Sequence, residues 1–400
     1  MATKQETEKS TETAPTAHAP KRVLYLASGS HEADVKSFEY ATSGVLDAMD
    51  AIVVMHYVKG AVATMYGPGR LAGSYGADED SVRARVGCTL VPVSTDDDSE
   101  SREIVEWLPE YIRANLLERK LSKKKGPVSV VQIDGLSGKG SVEEALAAIV
   151  DGEFSSSHES YKNDEWISIE PPNLIIMGCR GHGLVRRALL GSVTQNVLNR
   201  ISVPTLFFRS NLPKLVGSSE LVKQSLGGID QRVVAIAMSG SNSSRRLVEY
   251  FVQEHLRMSD VVLLLHCHDE TQLKNKDITP GDVEENICRS MSTVSSFLHE
   301  ETNKMGGRVM RMTLNKDTGS ASDIRDRTID FLGQTDVNLL VVGRALSSAH
   351  RLRTVFMTPF PQYCVTHAPC PVLVYNPPQE YARSQPSHAS AAEATTSMAA

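Results

Sequence analysis

The stretch LIIMGCRGHGLVRRALLGSVTQ, residues 174–195, decides the fold. Leu174-Ile175-Ile176-Met177 is a short apolar run of the kind that forms a buried strand, and Ser192-Val193-Thr194-Gln195 opens a helix with a capping-box pattern. Between them Gly178, Gly181 and Gly191 are spaced Gly-x2-Gly-x9-Gly-Ser, a pattern expected by chance only about 0.02 times in a chain of this length. Strand, glycine loop and helix start are the parts of a phosphate site in an open α/β sheet. Glycines let phosphate oxygens reach backbone N–H groups with no Cβ in the way. The free N–H groups at Ser192 and Val193 and the positive end of the helix dipole favour an anion. Arg180, His182, Arg186 and Arg187 add charge nearby. The capping box alone accounts for Ser192 and Gln195; it does not account for Gly178 or Gly181.

Outward from this stretch, β-branched runs alternate with helical patterns, which predicts parallel strands with crossover helices on both faces. The runs are 22–27, 51–56, 128–133, 174–177 and 203–208. The series then repeats. Arg22-Val23-Leu24-Tyr25-Leu26-Ala27-Ser28-Gly29-Ser30 returns as Arg232-Val233-Val234-Ala235-Ile236-Ala237-Met238-Ser239-Gly240-Ser241. A second strand ends in histidine both times, at His56 and His266, and Asn173 to Gly178 is answered by Asn338 to Gly343. A tandem duplication follows, with units at 21–210 and 231–377, a linker at 211–230, and polar tails at 1–20 and 378–400 that cannot offset their ordering entropy. The first unit carries insertions at 59–101 and 155–170, read as solvated loops, the former a candidate lid. In the second unit the loop reads Gly343-Arg344-Ala345-Leu346, with Phe356-Met357 expected where Gly191-Ser192 would fall. Only the first glycine survives there.

The bulk numbers narrow the function. Four hundred residues, 41% hydrophobic and 22% charged, predict two cores. A net charge of −6 argues against nucleic acid as the partner, and no apolar run reaches the roughly 18 residues of a membrane span. The six cysteines are scattered without a C-x-x-C, and the first 20 residues lack the apolar core of a signal peptide. A cytoplasmic protein with reduced thiols is expected, with a nuclear location compatible.

The Gly-x2-Gly-x9-Gly-Ser loop after a strand resembles the nucleotide-binding loop of the universal stress protein family, and the resemblance covers most of 21–210 and 231–377. It implies two Rossmann-like domains of the adenine nucleotide α-hydrolase type, each a five-stranded parallel sheet with helices on both faces. It also implies ATP or AMP, with or without magnesium, held between the ends of strands one and four. On this resemblance the nucleotide-binding residues are Ser28, Gly29, Ser30, Gly178, Arg180, Gly181, His182, Gly191, Ser192 and Val193. Family members that bind ATP usually carry an acidic residue where this chain has Ser28 and Ser239. The resemblance further implies pairing of the two sheets through their last strands, an internal pseudo-dimer, or a homodimer, with regulatory proteins as partners in a stress response. The first unit would bind nucleotide and the second would be a pseudo-partner.

Other readings are weaker. Gly135-Leu136-Ser137-Gly138-Lys139-Gly140-Ser141 lacks the first glycine and the post-lysine hydroxyl of a Walker loop. Ser28-Gly29-Ser30 resembles the opening of the PP-loop ATP pyrophosphatases but lacks their second glycine and Asp-Ser pair. His266-Cys267-His268-Asp269 reads as a strand end before a metal site. No catalytic residues and no intrinsic metal site are expected, so any ATP hydrolysis would be slow and incidental. A rival reading is an interaction or dimerisation module that keeps the fold without a nucleotide.

Overall fold

The structure, a computed structural model, describes residues 20–27, 37–38, 40–41, 45–47, 50–58, 87–92, 128–134, 142–152, 155–156, 167–168, 170–179, 192–209, 231–238, 242–268, 280–315, 324–344 and 359–376. Up to residue 209, here the first half, the elements are β1 (Arg22–Ala27), β2 (Ala51–Val58), β3 (Gly87–Pro92), β4 (Val128–Asp134), α1 (Val142–Val150), the two-residue strands β5 (Ser155–Ser156) and β6 (Ile167–Ser168), β7 (Leu174–Cys179), α2 (Ser192–Arg200) and β8 (Thr205–Arg209). The second half has β9 (Val233–Met238), α3 (Asn242–Glu254), β10 (Val261–His268), α4 (Pro280–Lys304), β11 (Arg308–Asn315), α5 (Ile324–Gln334), β12 (Leu339–Gly343), α6 (Phe360–His367) and β13 (Val372–Tyr375).

Eleven of these strands form one sheet in the order β11-β10-β9-β12-β13-β8-β7-β1-β2-β4-β3. Each half contributes five parallel strands whose order, numbered within the half, is 3-2-1-4-5, the Rossmann-like winding. The halves join where β8 and β13 pair antiparallel, Leu206 opposite Leu373 and Phe207 opposite Val372. The two sets of five parallel strands thereby make one continuous sheet. The 59–101 insertion is not wholly loop: its residues 87–92 form β3, which lies antiparallel on β4 and finishes that edge. The 155–170 insertion contributes the small β5-β6 hairpin. The tails and the linker lie outside the described residues.

The strands are apolar on both faces, as helix-covered parallel strands must be. Alternation sends Val23 and Tyr25 to one side of β1 and Leu24 and Leu26 to the other. The helices supply matching stripes. In α3, Ser244, Leu247, Val248 and Phe251 are buried at helical spacing, and in α4 the set is Met291, Val294, Ser295, Leu298 and Thr302. Two cores exist, but each belongs to a face of the sheet and runs through both halves, since the β8–β13 pairing leaves no polar boundary between them.

The duplication extends to single hydrogen bonds. Asn173 accepts from the Arg22 N–H with its side chain at 2.9 Å, and Asn338 does the same for Val233 at 2.7 Å. Buried Asp50 and Asp260 each accept from the N–H three residues earlier, at 2.8 and 2.9 Å. These matches make Arg22 the counterpart of Val233, and Lys21 that of Arg232, one residue away from the alignment of the two arginines suggested by the sequence. The extra residue of the second copy enters before the strand, so Val23 and Val234 share a register position opposite Leu174 and Leu339.

Candidate nucleotide-binding site

The sequence Leu174 to Cys179 is an uninterrupted apolar strand, and its pairing places Gly178. On one side β7 pairs with β1, Met177 opposite Leu26; on the other it pairs with β8, Gly178 opposite Phe208. Strand order reverses between β1 and β7, so their carboxyl ends flank the crevice in which doubly wound sheets bind ligands. Gly178 stands at that end of β7, half-buried. A Cβ built there would meet nothing closer than the Phe208 carbonyl oxygen at 3.9 Å, an ordinary contact. Packing does not demand this glycine.

The helix that should receive the anion returns to the same edge. α2 begins at Ser192, placing that serine in the first turn. Its first turn carries no acidic residue and its last carries Arg200, so the N-terminal N–H groups face no competing carboxylate of their own helix. Buried Thr194 hydrogen-bonds the Cys179 thiol, fastening the start of α2 to the end of β7. Burial pushes the Cys179 thiol up to about 12, against a smaller opposing effect of that hydrogen bond. Cys179 is therefore a packed neutral thiol.

Of the residues assigned to the site from sequence, Gly178, Ser192 and Val193 are brought to this edge by β7 and α2. Ser28, Gly29, Ser30, Arg180, Gly181, His182 and Gly191 lie outside the described residues, as does the 135–141 loop, although Ala27 and Asp134 end strands on the same edge. Thr194 and Cys179 are supporting residues that the sequence reading passed over. Their signal was faint, since a threonine in a capping box and a cysteine after a strand each have a local explanation.

The second half has the same frame and different chemistry. Leu340 and Ile175 occupy matching positions, their N–H groups donating to the Pro371 and Pro204 carbonyls respectively, both at 3.0 Å. Counting back from the paired strands β8 and β13, the counterpart of Ser192 is Pro359, the cap residue of α6, and the counterpart of Thr194 is Pro361. This corrects the expected Phe356-Met357: the loop after β12 is two residues longer, which ungapped counting from Gly343 misses. Prolines at these positions remove two N–H donors from the helix start. Nearby, the Tyr363 hydroxyl donates to the Asp326 carboxylate, with the Arg325 guanidinium 5.1 Å from the centre of the Tyr363 ring.

Among the described residues no group of three or more His, Cys, Asp or Glu is placed to hold a metal ion, and no helix is long and apolar enough to cross a membrane. Cys179, Cys364 and Cys370 are buried and form no disulfide.

Residues 166–209, which span β7, the glycine loop, α2 and β8, match the model of the universal stress protein family. No curated protein matches the chain. Among solved structures, a functionally unknown protein from Pseudomonas aeruginosa PAO1 is similar at 10% identity over 92% of this chain and 98% of its own, with a TM-score of 0.47. A universal stress protein from Archaeoglobus fulgidus DSM 4304 is similar at 16% identity, over 88% of this chain and 97% of its own, with a TM-score of 0.40. A universal stress protein family protein from Arabidopsis thaliana, solved with AMP bound, is 18% identical over 40% of this chain and 98% of its own, with a TM-score of 0.25.

Proposed function

We propose that this chain, which carries the universal stress protein segment at 166–209, binds one adenine nucleotide, ATP or AMP, in the crevice between β1 and β7, and acts through occupancy of that site in a stress response. The observation that carries this reading is the convergence of Gly178 and the α2 start on the edge where the strand order reverses. Gly178 has room for a Cβ, so this glycine is better explained by close backbone approach to phosphate than by packing. In this reading the phosphates sit on the N–H groups of 191–193 and of the glycine loop, and Ser28-Gly29-Ser30 at the end of β1 meets the adenosine part. Magnesium, where bound, would accompany the phosphates and bring its charge with them.

The second half serves as a pseudo-partner. Pro359 and Pro361 support this assignment, since they take away donors where Ser192 and Thr194 supply them. It would contribute the β13 strand that completes the sheet and the surface that packs on the first half. A cytoplasmic regulatory protein whose partners read the bound state fits these features better than an enzyme does. The test is direct: denature the purified protein, identify the released small molecules by mass spectrometry, and measure thermal shifts with AMP, ADP and ATP. Adenine nucleotide released from the wild type and absent from Gly181→Val and Gly191→Val is the expected result. No released nucleotide and no thermal shift would leave a dimerisation or interaction module as the better reading.

A further inference from the structure

The two ends of the eleven-stranded sheet are finished differently. In the first half the third parallel strand, β4, is covered by β3, with Gly87–Pro92 running antiparallel to Ser129–Asp134. Its counterpart β11 pairs with β10 along its whole length, Arg308 to Asn315, and among the described residues no strand pairs with its other side. An uncovered edge presents a row of unpaired N–H and C=O groups, a template for one more strand. Edges that avoid partners are short, bulged, lysine-bearing or broken by proline. β11 has eight residues, an unbroken register, no lysine and no proline.

Its side chains point to a kind of partner. Arg308, Met310, Arg311 and Thr313 are exposed, Met310 at 50%. No ion pair to either arginine occurs among the described residues, whereas the neighbouring Lys304 is already held by Glu300 and Glu301. Met310, the exposed large hydrophobic of the strand itself, adds an apolar contact beside the arginines. We infer that β11 is a docking edge for an extended acidic segment of a partner protein, added antiparallel as β3 is added to β4. Backbone hydrogen bonds supply the pairing, and Arg308 and Arg311, on opposite faces of the strand, select carboxylates on both faces of the incoming segment. A second copy of β11 is a poorer occupant, because it would bring four arginines onto one short ribbon.

The probe is a labelled synthetic peptide of residues 87–100, with serine in place of Cys88. It holds the strand that fills the equivalent edge and ends in Asp96-Asp97-Asp98-Ser99-Glu100. Fluorescence anisotropy with the full chain is expected to give saturable binding. Binding should weaken at least tenfold with Arg308→Glu/Arg311→Glu, with a peptide whose acids are replaced by lysine, and with a peptide N-methylated at alternate residues. Both arginines are exposed, so the double variant should keep the wild-type melting temperature and remain interpretable. The inference is overturned if the peptide does not bind, if binding survives the arginine reversal or the N-methylation, or if light scattering shows a dimer that the arginine reversal dissociates.

Discussion

Two glycines carry different loads, Gly307 just before β11 and Gly178 in the central strand β7. A Cβ at Gly307 would fall 2.3 Å from the Asp260 backbone oxygen and 2.7 Å from Thr302 Cγ2, so Gly307→Ala should destabilise by about 2–3 kcal/mol in urea titration. Gly178→Ala should change stability by less than about 0.5 kcal/mol and weaken nucleotide binding instead, because its Cβ has room and only a ligand would contest it. Asp260 is 1% exposed, accepts from the Arg257 N–H, and pairs with Arg232 at 2.6 and 3.0 Å. Asp260→Ala strands that guanidinium and should cost about 3–5 kcal/mol. The thiols of Cys179 and Cys370, pushed up to about 12 by burial from an ordinary 9, make a pH prediction. The unfolded chain loses these protons first, so the stability they contribute is complete below pH 9 and falls between pH 9 and 12. The slope is about 1.4 kcal/mol per pH unit for each thiol. Urea melts of wild type and Cys179→Ala/Cys370→Ala from pH 7.5 to 10.5 check this; equal slopes would refute it.

At the scale of elements, the contrast between α2 and α6 is the informative one. They occupy equivalent places, yet the first opens with Ser192 and Thr194 and the second with Pro359 and Pro361. Ser192→Pro copies the second half into the first. Proline is tolerated in a helix's first turn, so the melting temperature should hold within about 2 °C while nucleotide affinity drops at least tenfold by calorimetry. A drop in stability with affinity unchanged would remove α2 from the binding site. Much of this level was legible in the sequence: β1, β2, β7, β8 and their second copies announce themselves as apolar runs of the right length, and Gly178 falls where its strand ends. Two things were not legible. Arg22 and Arg232 look equivalent in a linear alignment, but the hydrogen bonds of Asn173 and Asn338 assign Arg22 to Val233, because register depends on partners more than 100 residues away. The strand β3 sits inside a glycine-rich, acidic insertion with little periodicity, and only its pairing with β4 defines it.

For the whole molecule, β8 and β13 turn a duplicated chain into one sheet, and the consequences are cooperative. Tyr40, from the first half, packs its ring at a tilt against Phe208 and donates to the Asn338 carbonyl at 2.7 Å; burial holds its hydroxyl above the usual tyrosine range. Asn376 donates to the Ile201 carbonyl at 2.9 Å, and the Arg209 guanidinium reaches the Ala368 carbonyl at 3.3 Å. With both cores running through both halves, unfolding should be a single transition with coincident calorimetric and spectroscopic curves. Two resolved transitions would mean that the halves are separate domains resting against each other. The antiparallel junction also sets the two switch points on opposite edges of the sheet. Isothermal titration calorimetry of AMP and ATP into nucleotide-stripped protein tests the central claim most directly. One site per chain, abolished by Gly181→Val, is the predicted result. Two sites per chain, or no heat of binding at all, would contradict it.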